Sequence, residues 1–183
     1  INKPNKTKTF IYNSVKVLNM SKKIYRKKTN STVTKSSGNL SSASYLIIVE
    51  SPSKCAKIES YLGLNYCCIA SKGHIRSVNG LRSIDTKGTF EPKFTELTEK
   101  KDHIVFMQQI ISKFSKEKII LATDDDREGE AIAWHICEQF GLPVETTPRI
   151  IFHEVTKPAL LASIKSPTIV NLDLVKAQHA RQV

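Results

Sequence analysis

The 183-residue chain has no CxxC pair, no GxxxxGK[ST] stretch and no apolar run approaching the length of a membrane span. Each absence removes a class of function. Without the glycine loop there is no P-loop nucleotide site. Without the long apolar run there is neither a spanning helix nor a secretory signal core, and no membrane partner is expected. Cysteine is scarce: Cys55, Cys67, Cys68 and Cys137 match no zinc-ligand spacing, and each sits in an apolar context. They read as reduced core residues, which implies an intracellular setting, cytoplasm or nucleoid.

Acid is missing from the first quarter of the chain. Residues 1–44 hold ten of the 28 Lys and Arg and no Asp or Glu, so residues 45–183 carry 18 basic against 17 acidic side chains. The net charge of +11 therefore belongs to the tail, and bulk charge argues nothing about the part that folds. Rich in Lys, Asn, Ser and Thr, residues 1–44 have too little apolar surface to offset ordering entropy and are expected to be a disordered basic tail. The same composition suits an organelle transit peptide, although Arg26 is its only Arg. The chain begins at Ile1 and stops inside the helical-looking "NLDLVKAQHARQV" without a cap, so it is expected to be part of something larger, with Met20 a possible true start.

From Tyr45 the pattern alternates. "YLIIV" is an apolar run of strand length, followed by Pro52 at a helix start and Cys55, Ile58 and Leu62 at helical spacing. "YCCIAS" is a second strand, residues 72–101 a long polar loop, and Ile104, Met107, Ile111 and Phe114 mark a helix face. "KIILAT" is a third strand. Ile132, Ala133, Ile136, Cys137 and Phe140 mark a helix ended by Gly141 and Pro143, "RIIFHEV" is a fourth strand, and a short helix follows near 157–165. Alternating strands and helices imply an α/β domain with a mainly parallel sheet, whose sites form at the carboxyl ends of strands.

Five carboxylates occupy the seven positions 124–130 in "LATDDDREGE". Such crowding is tolerated where solvent, a helix N-terminus, basic groups or a metal offsets the repulsion. A calcium loop fails, because its twelfth position is His135 rather than Glu. Magnesium fits better: it keeps several waters and is held by one or two carboxylates together with phosphate oxygens. An Asp-x-Asp pair leaving a strand aims Asp124 and Asp126 to one side, and Glu128 joins them a helical turn on. Glu50 ends the first strand and faces the cluster if those strands are neighbours. Lys54 and "SKGHIR" then offer cations to a phosphate.

"YLIIVESPSKCAKIESYL", "ASKGHIRSV", "TFEPKF", "LATDDDREGEAIAWH" and "IIFHEVTKPA" resemble, in order, the motifs of the TOPRIM domain of type IA DNA topoisomerases, with "EAIAWH" and "FEPKF" most similar to the bacterial topoisomerase I branch. The resemblance runs from Tyr45 to about Ile164, and "NLDLVKAQHARQV" is similar to the start of the adjoining domain that contacts single-stranded DNA. Beyond the tail over 1–44 it implies a TOPRIM domain over 45–165 and the beginning of a DNA-binding domain over 166–183. The implied TOPRIM fold is Rossmann-like: a mainly parallel four-stranded sheet flanked by helices.

The family breaks one DNA strand through a tyrosine from a later domain, forming a 5′-phosphotyrosine link and a 3′-hydroxyl that is later religated. The resemblance makes Glu50 the acid for the leaving 3′ oxygen, Lys54 the holder of the scissile phosphate, and Asp124, Asp126, Glu128 and Glu50 the Mg²⁺ ligands. It leaves His74, Arg76, Arg127 and Arg181 as DNA contacts. No tyrosine follows Tyr66, so the remainder of a topoisomerase chain is expected to supply the nucleophile. A primase or nuclease with the same carboxylates, or a DNA-binding accessory without catalysis, is the competing reading. "SPSK" after Glu50 and "REGEAIAWH" favour the topoisomerase.

If the basic tail supplies most non-specific DNA affinity, removing residues 1–44 flattens the dependence of DNA binding on salt, because fewer counterions are released. Binding isotherms over a salt series check this; an unchanged slope assigns the contacts to the folded part.

Overall fold

The computed structural model describes residue 40 and residues 42–80, 83–84, 87–88 and 91–181. The expected disordered tail falls outside these residues except at its last few positions. β1 (Tyr45–Val49) is the run "YLIIV", and Leu46 to Val49 are fully buried. A strand apolar on both faces needs cover on both, which parallel neighbours with helical crossovers provide. β1 accordingly lies between β2 (Tyr66–Ala70) and β5 (Ile119–Ala122) in a three-stranded parallel sheet. Val49 is level with both Ala70 and Ala122, so the three strands end together and Glu50, Ser71 and Thr123 are the first residues beyond the edge.

Side chains alternate across a strand, and the two faces build two cores. Leu46, Ile48, Cys67, Ile69, Ile119 and Leu121 face one side, where α2 (Lys101–Ile111), α3 (Arg127–Phe140) and α5 (Leu172–His179) bring Met107, Ile136 and Val175. Ile47, Val49, Cys68, Ala70, Ile120 and Ala122 face the other, against Cys55 and Ile58 of α1 (Pro52–Leu62) and Leu160 of α4 (Lys157–Lys165). All four cysteines are buried in these cores as free thiols. Among the described residues no helix is long and apolar enough to cross a membrane.

Two expectations need correction. The fourth strand shrinks to a single parallel bridge between Arg149 and Leu121, held by Leu121 N–H on Pro148 O and Ile150 N–H on Leu121 O. Arg149 pairs on its other side with Thr168 in an antiparallel bridge, so the segment departs from the sheet after one residue. The polar loop after β2 also contains structure: β3 (Arg76–Val78) and β4 (Phe94–Glu96) form a small antiparallel ribbon. Strands of three residues are too short to show an alternating apolar pattern.

That ribbon, α3 and α5 meet in an aromatic cluster. Phe94 of β4 lies 4.5 Å from His135 and 4.4 Å from His179, and Trp134 lies 5.0 Å from His135, all between ring centroids. His135 is fully buried with neither ring nitrogen hydrogen-bonded. Burial first, then the neighbouring His179, Arg76 and His74, push its pKa down from 6.5 to about 3. The unfolded chain therefore binds a proton that the folded chain refuses. The stabilisation is complete above 6.5 and is lost as pH falls from 6.5 towards 3. His135→Phe keeps an aromatic ring and removes the titration. It should cut the acid-side slope of unfolding free energy by up to about 1.4 kcal/mol per pH unit. Urea titrations followed by the fluorescence of Trp134, the chain's single tryptophan, measure this, and an unaltered slope assigns acid sensitivity elsewhere.

Candidate active site

The level strand ends bring Glu50 and the acidic loop side by side. Glu50 Oε1 accepts the backbone N–H of Asp124 at 3.1 Å. Its carboxyl is half-buried and its pKa is raised, by burial first and then by the carboxylates of Asp124 and Asp126, against the opposing pull of the Asp124 amide and Lys54. Burial, more than the neighbouring carboxylates, is the cause. Lys54, in the first turn of α1, reaches across to Asp124, pairing its Nζ with Oδ1.

Asp126 caps α3: its extended backbone turns the chain into the helix while Oδ1 accepts the Gly129 N–H at 2.7 Å. Such a cap contributes about 1 kcal/mol, and it engages one carboxylate oxygen. Glu128 turns away from Asp124, with Oε1 3.1 Å from His74 Nε2. His74 reaches that position because Lys72 and Gly73 both take left-handed backbone, φ 61 and 85, reversing the chain just after β2. Lys72 tolerates this with its N–H on Glu50 O and its carbonyl on Lys100 Nζ. Asp125 faces the exposed His153 at 4.0 Å.

The four carboxylates expected to converge thus divide. Glu50, Lys54, Asp124 and Asp126 stand together, while Glu128 goes with His74, and among the described residues no three His, Cys, Asp or Glu side chains form a ready metal cage. Asp124 and Asp126 still offer hard oxygen donors of the kind Mg²⁺ takes, with open solvent for its waters. Of the expected DNA contacts, Arg127 is exposed at the first position of α3 and Arg181 is exposed just past α5. Arg76 is partly buried, bonded to Phe94 O at 3.2 Å and set 6.0 Å from the Trp134 ring, away from the acidic loop. An open cleft of about 290 Å³ is lined by Lys54, Asp124, Asp125 and Asp126 and by Phe152, His153 and Val155.

Residues 45–155 match the model of the Toprim domain. The chain belongs to the Toprim family. It is 43% identical over 143 residues to DNA topoisomerase 1 of Helicobacter pylori, covering 75% of this chain and 19% of that protein. It also superimposes on full-length topoisomerase I from Thermotoga maritima with a TM-score of 0.66 at 35% identity, covering 74% of this chain and 23% of that one. Both of these relatives are topoisomerase I by name, and the chain spans about a fifth of the length of the curated relative it matches.

Within the Toprim domain the lining residues Phe152, His153 and Val155 escape a reading of motifs, because they serve the cleft only once the Arg149 bridge carries the chain past it. A second omission is Gly129. A Cβ placed there would lie 2.1 Å from the Asp124 carbonyl oxygen and 2.9 Å from its carbonyl carbon, contacts with backbone that cannot swing aside. Gly129→Ala is expected to destabilise the chain by at least about 2 kcal/mol, as overpacking against fixed atoms does, and to displace the acidic loop. The urea midpoint checks the first effect and the amide chemical shifts of residues 123–126 the second. Wild-type values for both would mean that loop and helix separate freely.

Proposed function

We propose that this chain supplies the acid–base and phosphate-holding half of a DNA cleavage site of the type IA topoisomerase kind, with the tyrosine nucleophile coming from the remainder of such a chain. The observation that carries the reading is Glu50 seated on the Asp124 backbone with Lys54 beside it. A proton donor, a cation and two oxygen donors thereby share one edge. In the reaction the tyrosine oxygen bonds to phosphorus as its own proton passes to solvent, the bond to the 3′ oxygen breaks, and that oxygen takes the Glu50 proton. On religation Glu50 takes the proton back. Burial of Glu50 favours the protonated form that the first step uses.

Lys54 holds the phosphate by charge and stabilises its crowded transition state. Asp124 and Asp126 are the groups that would hold Mg²⁺, with Glu128, whose Oε1 is paired with His74, as a third donor through its other oxygen. When bound, that ion offsets phosphate charge and keeps its carboxylate ligands ionised. The substrate is a single-stranded DNA segment, and the exposed Arg127 and Arg181 suit its backbone. The cell compartment implied is wherever that DNA lies.

The test joins residues 1–183 to a compatible remainder that carries the family's tyrosine and traps 5′-linked adduct on labelled single-stranded DNA. The joined protein forms adduct and the 183-residue chain alone forms none. Glu50→Gln suppresses the adduct while DNA binding stays near the parent value, since a neutral amide of the same shape removes only the proton. Adduct from the chain alone would overturn the division of labour, and undiminished adduct with Glu50→Gln would strip Glu50 of its role.

A further inference from the structure

Beneath the acidic loop lie two charged residues that the reaction above does not use. Arg149 is fully buried, donating from Nε to Thr123 Oγ1 at 3.1 Å and from Nη2 to the Asp124 carbonyl at 2.9 Å. Its Nη1 sits 3.0 Å from Glu130 Oε1, with the Glu130 side chain only 5% exposed. The other Glu130 oxygen, Oε2, accepts the backbone N–H of Asn171 at 3.0 Å. Asn171 is the cap of α5, its Oδ1 accepting from the N–H groups of Asp173 and Leu174.

Packing alone does not call for this pair. Two buried charges lose hydration, and apolar residues of similar volume often stabilise such a site as well or better. What apolar residues cannot do is donate two hydrogen bonds and set a charge against a third group, all from one rigid plane. Here those groups are the side chain of Thr123, the peptide of Asp124 and the acid that holds α5. The Asp124 peptide is fixed on every side: its N–H on Glu50, its oxygen on Arg149, its plane against Gly129. Its Cβ direction, and so the aim of its carboxylate, follows from that fixation.

The geometry points to Arg149 and Glu130 as a positioning pair that couples the acidic loop to α5, so that order at Asp124 and docking of α5 reinforce each other. Glu130 touches no group of the loop's carboxylates, yet its loss frees Arg149 from its counter-charge and releases Asn171. Both ends of the coupled unit then loosen together. The exchange measurements below need no metal. The Mg²⁺ measurements rest on the function proposed above.

The experiment compares the 183-residue chain with Glu130→Gln, Arg149→Met and the double replacement Arg149→Met with Glu130→Leu. Amide hydrogen exchange is read at Asp124 and at 171–175 without metal, and affinity by titration with Mg²⁺ alone. Glu130→Gln keeps the side-chain shape and an oxygen for the Asn171 N–H, so it is the mildest of the three changes, although it leaves Arg149 without its counter-charge. It should accelerate exchange at Asp124 as well as in α5 and weaken Mg²⁺ binding by roughly tenfold to a hundredfold, the usual range for a lost supporting partner. The double replacement should regain melting temperature relative to either single change, yet recover neither Asp124 protection nor Mg²⁺ affinity. Faster exchange confined to 171–175 in Glu130→Gln overturns the coupling. Recovery of Asp124 protection together with melting temperature in the double replacement reduces the pair to packing. Asp124→Asn with Asp126→Asn serves as the metal control. If it binds Mg²⁺ as the parent does, the metal reading fails and the exchange results alone decide the coupling.

Discussion

Asp124, Asp125, Asp126, Glu128 and Glu130 occupy a stretch in which like charges would otherwise drive the backbone apart, and the chain meets each with its own partner. Asp124 has Lys54, Asp125 has His153, Asp126 has the Gly129 amide, Glu128 has His74 and Glu130 has Arg149. These partners come from α1, from α3 itself, from the turn after β2 and from the segment between α3 and α4. Charge balance in one short loop therefore fixes how four parts of the chain come together. The contributions are unequal. Exposed pairs such as His153 with Asp125 are worth about 0–1 kcal/mol, whereas breaking a buried pair such as Arg149 with Glu130 leaves an uncompensated charge and costs about 3–5 kcal/mol.

The fold was legible where apolar runs were long enough to be unambiguous. "YLIIV", "YCCIA" and "IILA" are continuous because a central parallel sheet is covered on both faces, and that continuity separates them from half-exposed strands. α3 announced itself through its apolar face and the Gly141 stop, where φ 63 asks for glycine. "RIIFHEV" misleads because apolarity records burial, and Ile150 is buried in the core without sheet partners beyond a single bridge. β3 and β4 escape because three residues of mixed polarity carry no period.

Legibility of the site follows the same division. Glu50 and Asp124 could be placed at strand ends from sequence alone, since the position past a parallel strand is set by the strand. Partner choice could not. Glu128 lies a helical turn beyond Asp124, yet it swings to His74 because two left-handed residues deliver a ring nitrogen there. Arg149 gave one faint signal, a charged residue opening an apolar run. Its meaning depends on Glu130 and Asn171, which lie 19 and 22 positions away on either side and meet it only in the folded chain.

The same charge count bears on why the proposed reaction would call for a divalent ion although no ready cage stands among the described residues. Glu50, Asp124, Asp126 and Glu128 border the edge, and Lys54 is the cation paired directly to it. A DNA phosphate entering beside Asp124 meets like charge at contact distance, costing about 4 kcal/mol per pair at 4 Å in a surface environment. Lys54 cannot cancel this, because turning towards the phosphate takes its charge away from Asp124. Asp124 and Asp126 would hold an ion of charge two, which would supply the positive charge that the carboxylates and the phosphate together lack. Weak binding to the protein alone would then follow from the small donor set: two carboxylates, one of them already paired with Lys54, would leave most of the ion's shell to phosphate and water.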